Sequence, residues 1–120
     1  MTEKSQTLRC ISGVMKDMGI PASIRGYKFL CQAILLALDD ENVLYAVTKV
    51  IYPTVAKDND TTPSRVERSM RHAIETAWER GDVRVLSELF GYTVKASRGK
   101  PTNSEFIAIV TEHIKLNLTE

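Results

Sequence analysis

The chain has 120 residues, with 16 Lys and Arg against 15 Asp and Glu, for a formal net charge of +1. That length supports one domain with a real core, and the apolar and charged fractions are those of an ordinary globular protein. No apolar run approaches a membrane span and no signal-peptide pattern opens the chain, which argues against a membrane protein. Near-neutral charge neither demands nor excludes nucleic acid, because small DNA-binding modules concentrate their cations on one face. Cys10 and Cys31 lack metal-ligand spacing. They read as buried or free thiols in a reducing cytosol rather than as a disulfide.

Helical periodicity runs through almost the whole chain. From about Lys4 to Met18, the residues Leu8, Ile11, Val14, Met15 and Met18 recur at helical spacing. Gly19 ends that helix and Pro21 prevents its return. A second helix is expected from about Ser23 to Leu38, with Ile24, Tyr27, Leu30, Cys31, Ile34, Leu35 and Leu38 inward, as the central core element. Asp39 and Asp40 offer an N-cap for a third helix over Glu41 to Ile51. Pro53 then predicts a break near Ile51 and Tyr52, because its ring clashes with a helix running through it.

The segment Tyr52 to His72 is the most informative. It reads as a short helix from Pro53 to about Lys57, a turn at Asn59-Asp60, and a longer helix to Glu79-Arg80. Val55 and Ala56 face inward, and a residue as small as Ala56 lets two helices cross closely. Asn and Asp tolerate left-handed backbone better than other non-glycine residues, so the turn does without glycine. Thr62 caps the longer helix, Pro63 suits its first position, and Gly81 lies just past its end.

On a helical wheel, Val66, Met70, Ala73, Ile74 and Ala77 fall within about 100° of arc. Ser64, Arg65, Arg68, Arg71, His72 and Glu75 occupy the opposite side. A charged helix face is usually a solvated one. Here the arginines sit in the first turns, follow a tight turn, and match groove chemistry. Arg bridges guanine O6 and N7, and Glu accepts from cytosine N4. The pattern is that of a helix-turn-helix over about 53–80, whose second helix lies in the major groove of double-stranded DNA.

Beyond it, Asp82 caps a short helix ending at Gly91, and Tyr92 to Gly99 reads as a loop or brief extended segment. Thr102-Asn-Ser-Glu105 has the capping-box form. It opens a last helix with Phe106, Ile107, Ile109, Val110 and Ile114 inward. The expected fold is therefore all-α, a single domain over residues 1–120, built as a compact bundle of about six helices. Enzyme chemistry has little support. His72 and His113 lack metal-type partners at helical spacing, and there is no phosphate loop, HExxH or nucleophile elbow. Trp78, at the edge of the apolar face, reads as core. No catalytic residue, metal, cofactor or small-molecule substrate is expected.

Five ordered motifs carry a family resemblance: Gly19 to Tyr27, Tyr52 to Lys57, Thr61 to Trp78, Leu89 to Thr93, and Lys100 to Ala108. They resemble the C-terminal effector domain of the master sporulation response regulator of spore-forming bacteria, from about Leu8 to Leu116. The resemblance implies a six-helix domain that binds a short promoter element, the 0A box, with a TGTCGAA-like core. It implies base reading by Glu67, Arg68 and Arg71, with Ser64, Arg65 and His72 at or beside the DNA. Thr62 is placed near the backbone, and Lys57 and Arg80 steer by charge. It further implies head-to-tail pairing on tandem elements. A surface for the principal sigma subunit of RNA polymerase spans Gly81 to Val94, comprising Val83, Val85, Phe90 and Val94. Leu86 and Leu89 read as core, and Phe90 as the exposed contact. A cytoplasmic, nucleoid-associated regulator follows.

Some features depart from the family pattern. The receiver domain that carries the phosphorylated aspartate is not among the 120 residues. An excised fragment and a receiver-less relative both fit, and either implies constitutive DNA binding. Asn59 stands in place of an aromatic residue and Asp58 in place of a Lys, which makes the turn more acidic. Val85 replaces a small polar residue on the sigma-facing segment.

Overall fold

A computed structural model describes residues 3–91 and 99–118, all of whose regular structure is helical. Six α-helices follow one another: α1 Glu3–Asp17, α2 Arg25–Asp39, α3 Tyr52–Asp58, α4 Pro63–Arg80, α5 Val83–Phe90 and α6 Asn103–Leu118. The expected loop from Tyr92 lies outside the described residues as far as Arg98.

Helix α2 is the centre, packing chiefly on α4 and α6. Its buried face is Gly26, Phe29, Leu30, Ala33, Ile34 and Ala37. The sequence face centred on Tyr27, Cys31, Leu35 and Leu38 is rotated from this, and those four residues only pack partly against the core. Small residues explain the difference. A Cβ at Gly26 would meet the Ser69 carbonyl oxygen and the Ala73 side chain, so glycine lets α2 and α4 cross at backbone distance. Apolar periodicity gives small residues little weight, although they mark the tightest contact. In α1, Ile11, Met15 and Met18 are fully buried, whereas Leu8 remains exposed.

The segment expected as one helix over Glu41 to Ile51 is not an α-helix. Asp40 caps it as anticipated, accepting from Asn42 N–H at 3.0 Å, but it forms a 3₁₀ turn over Glu41–Tyr45. The chain breaks at Ala46, where φ is −139° and ψ is 43°, and resumes as a π-type turn over Val47–Ile51. This turn runs directly into α3, so the break expected near Ile51 and Tyr52 is absent. Pro53 supplies the reason. In a regular helix its missing N–H and its ring would face the Lys49 carbonyl. The chain widens instead, and Tyr52 N–H bonds Val47 O, five residues back.

Gly81 closes α4 just past its end, as expected, in extended backbone with φ −75° and ψ 168°. Its smallness serves a long-range contact, because a Cβ there would strike the Met18 and Ala77 carbonyl oxygens. The ends of α1 and α4 therefore meet backbone to backbone.

A candidate nucleic-acid interface

The helix-turn-helix forms as the residues require. In α3, Tyr52, Val55 and Ala56 are buried. Asp60 takes the left-handed conformation in the turn, with φ 53°, as its residue type permits. Asn59 does more than make the turn. Its amide donates to Gln32 Oε1 at 2.6 Å and to the Val55 carbonyl at 2.8 Å, tying the turn to α2. Thr62 accepts from Arg65 N–H at 3.3 Å and so caps α4.

The buried residues of α4 are Val66, Met70, Ala73, Ile74 and Ala77, the set placed on one face by the wheel. Ser64, Arg65, Arg68, Arg71 and His72 are exposed on the other side, and Glu67 is half-buried. Arg71 Nε lies 3.5 Å from Glu67 Oε1, an exposed ion pair at helical spacing. Such pairs contribute about 0–1 kcal/mol, so little opposes a rearrangement onto a ligand. Arg65 and Arg68 have no ion-pair partner among the described residues. Glu75 would oppose an anion on this face, but Lys100 donates to it at 2.8 Å. That bond holds the Glu75 carboxyl below its ordinary range, with the nearby charges of Lys100, Arg71 and His72 acting in the same direction against a small burial effect.

Two grooves flank α4. One is lined by Arg68, Arg71 and His72 together with Arg25 and Gly26 from the start of α2. The other, of roughly 450 Å³, runs between Glu67 and Arg71 on one side and Lys100, Thr102 and Asn103 on the other, with Tyr52 at its base. Arg68, Arg71 and His72 are thus brought together with a further cation, Arg25, that sequence reasoning did not single out. Lys57 and Thr62 are exposed on the approach to α4. Arg80 is exposed in the last turn. At 1.5 Å per residue it lies roughly 18 Å along the axis from Arg68, outside the cluster.

Asn103 was also missed. It is buried, and its amide donates to the Tyr52 hydroxyl and to the Glu67 carbonyl, each at 3.0 Å. The capping box around it formed as expected, with Thr102 and Glu105 bonding reciprocally at 2.9 and 3.1 Å. That local reading accounted for the ends of the box and assigned nothing to the residue between them.

Helix α5 corrects one expectation. Phe90, expected as an exposed contact, is only 2% exposed. Its ring sits edge-on to Trp78 at 5.1 Å and stacks with Phe106 at 5.6 Å. A single ring bridging α4 and α6 buries far more apolar area than a solvated one, and that decides its place. Leu86 is buried, Val85 is half-buried, and Val83 is 74% exposed. Val94 lies outside the described residues.

An all-helical domain with an exposed, arginine-rich second helix in a helix-turn-helix belongs to the class of DNA-binding regulators. The match to a known family is direct. Residues 11–114 match the family described as sporulation initiation factor Spo0A C terminal, and the chain belongs to that family. It is a sporulation-related DNA-binding domain of the response-regulator effector kind, and the family is not one of enzymes. No described helix is long and apolar enough to cross a membrane.

Proposed function

We propose that this chain is a sequence-specific transcription regulator that reads 0A-box-like, TGTCGAA-type promoter elements through α4, in sporulation or stationary-phase control. The observation that carries the reading is the exposed face of α4, where Arg65, Arg68, Arg71 and His72 stand opposite five buried residues. Arg68, free of any ion pair among the described residues, pairs with guanine O6 and N7. Glu67 accepts from cytosine N4, and Arg71 contacts a base or phosphate. Ser64, Thr62 and His72 lie at the backbone, and Lys57, Arg65 and Arg80 steer by charge. Two copies bind tandem elements head to tail.

Fluorescence anisotropy with a duplex carrying two tandem boxes, against a scrambled duplex of equal length, tests this. Tight binding to the first, with a large ratio over the second and a steep negative salt slope, is expected. Equal weak binding to both duplexes would refute it.

A second reading concerns what binding achieves. The exposed apolar surface of α5 reduces largely to Val83, because Phe90 is packed inside. That favours regulation by promoter occupancy over recruitment of the sigma subunit. Transcription in vitro from a tandem-box promoter separates the two readings: occupancy represses and recruitment activates.

A further inference from the structure

Asn103 opens α6 beside the reading helix, yet only 8% of it is exposed. Its two amide hydrogens are both used, one on the Tyr52 hydroxyl and one on the Glu67 carbonyl, each at 3.0 Å. The Glu67 carbonyl only accepts, so the amide nitrogen must face it. A carbonyl inside a helix keeps a second lone pair after its intrahelical bond. Asn103 therefore grips α4 at its second turn without breaking the helix.

The three bonded residues come from three helices. Tyr52 is the first residue of α3, Glu67 lies one turn into α4, and Asn103 is the first residue of α6. Tyr52 is itself 9% exposed, and burial pushes its hydroxyl above the ordinary range while the Asn103 bond opposes that. The bond to Glu67 falls at the backbone of a proposed base-reading residue, immediately before Arg68 and about one turn before Arg71.

We propose that Asn103 is a positioning residue that sets sequence discrimination: it fixes the axial position and rotation of α4 against α3 and α6 without touching DNA. This rests on the base-reading role proposed for α4. Bidentate pairing needs its donors held to about 0.5 Å, whereas attraction to phosphates depends on charge and tolerates small shifts. A slackened α4 therefore loses specific binding and keeps non-specific binding.

The test compares wild type, Asn103→Ala and Tyr52→Phe in two measurements. The first is affinity for a tandem-box duplex and for a scrambled duplex across a salt series. Asn103→Ala is expected to lower the ratio of the two affinities about tenfold, with scrambled affinity and salt slope unchanged. Tyr52→Phe removes one of the two bonds and is expected to lower it about threefold. Equal falls on both duplexes, or no fall, would overturn the proposal. The second measurement is amide hydrogen exchange on the free protein. Faster exchange confined to the first half of α4 is expected, and a uniform rise across the domain refutes a positioning role. If Asn103→Ala does not fold, Tyr52→Phe decides. If wild type fails to discriminate the duplexes, the base-reading function is what fails, and the exchange pattern still decides whether Asn103 holds α4.

Discussion

Two glycines in helices give opposite predictions for the same substitution. Gly13 lies inside α1 with nothing within 4 Å of an added Cβ. Gly13→Ala should therefore show the bare helix-propensity gain, about 0.5–1 kcal/mol. Gly26 lies in the first turn of α2, where the propensity gain is smaller. There an added Cβ would run into the Ser69 carbonyl oxygen and the Ala73 Cβ. Both atoms are fixed to the helix α4, so neither can swing aside as the end of a flexible side chain would. Overpacking of this kind costs about 1–3 kcal/mol. The steric cost outweighs the propensity gain, and Gly26→Ala should lose about 1–2 kcal/mol net.

For a domain of this size 1 kcal/mol moves the melting temperature by roughly 3–6 °C. Thermal unfolding should thus place Gly13→Ala a few degrees above wild type and Gly26→Ala roughly 5–10 °C below. Ser69 sits between Arg68 and Met70, so the displaced segment is the part of α4 proposed to read bases. Gly26→Ala should also weaken tandem-box binding at a temperature where the variant is fully folded. A melting temperature for Gly26→Ala equal to or above wild type would refute the reasoning, because the α2–α4 crossing would then yield at no cost.

Three further outcomes are expected. Arg68→Ala removes an exposed guanidinium with no ion-pair partner among the described residues, so stability should stay within about 0.5 kcal/mol while box affinity falls by about 1–3 kcal/mol; anisotropy and a thermal melt measure both. Phe90→Ala should destabilise by about 3–5 kcal/mol in urea unfolding, because it empties the stack between Trp78 and Phe106. The Cys31 thiol is pushed up to about 11 by burial, partly offset by a bond with Tyr27. Its raised folded value means the contribution is complete below the unfolded value and is lost as pH rises through about 11. The urea midpoint should therefore fall between pH 9 and 11, and by less in Cys31→Ala.

What was legible in the sequence is what short-range physics decides. The buried face of α4, the Thr62 and Asp82 caps, the Thr102–Glu105 box and the left-handed Asp60 each depend on residues within a turn or two. The misses have distant causes. Gly81 ends α4 where expected, but the long-range demand on its smallness, from the Met18 carbonyl just after α1, leaves no local mark. The buried face of α2 is rotated from the expected one because Gly26, where α2 crosses α4 closely, and the buried Ala33 and Ala37 carry almost no hydrophobic signal. Phe90 belongs to a helix of eight residues, too short for its pattern alone to separate a core ring from a surface one. Asn103 bonds residues 51 and 36 positions away, which no local motif announces. Pro53 correctly signalled an irregularity, but the chain resolved it by widening the preceding turn and moving the break back to Ala46.

The burial of Phe90 also bears on how the two proposed surfaces share the domain. Its ring bonds α5 to the C-terminal half of α4 through Trp78, and to α6 through Phe106. Asp82 caps the start of α5 by accepting from Arg84 N–H at 2.9 Å, a local bond, so the packing of Phe90 at the far end is what anchors the helix to the core. The face left to a partner carries Val83, Arg84, Ser87 and Glu88, all exposed. The arginines proposed to read DNA lie in the first half of the eighteen-residue α4, and α5 begins just beyond its end. At 1.5 Å per residue, Arg68 and the start of α5 are roughly 20 Å apart along that axis. That separation exceeds the ~10 Å screening length at 0.1 M salt, so phosphates held by Arg68 exert little direct electrostatic force on a partner at Val83. Coupling between the two would have to travel through packed helices, either along α4 to the Trp78–Phe90 contact or along α6, which meets Phe90 through Phe106 and Glu67 through Asn103. Loosening the Trp78–Phe90 contact should therefore disturb α5 before it disturbs base reading, whereas loosening the Asn103 contact at the other end should do the reverse.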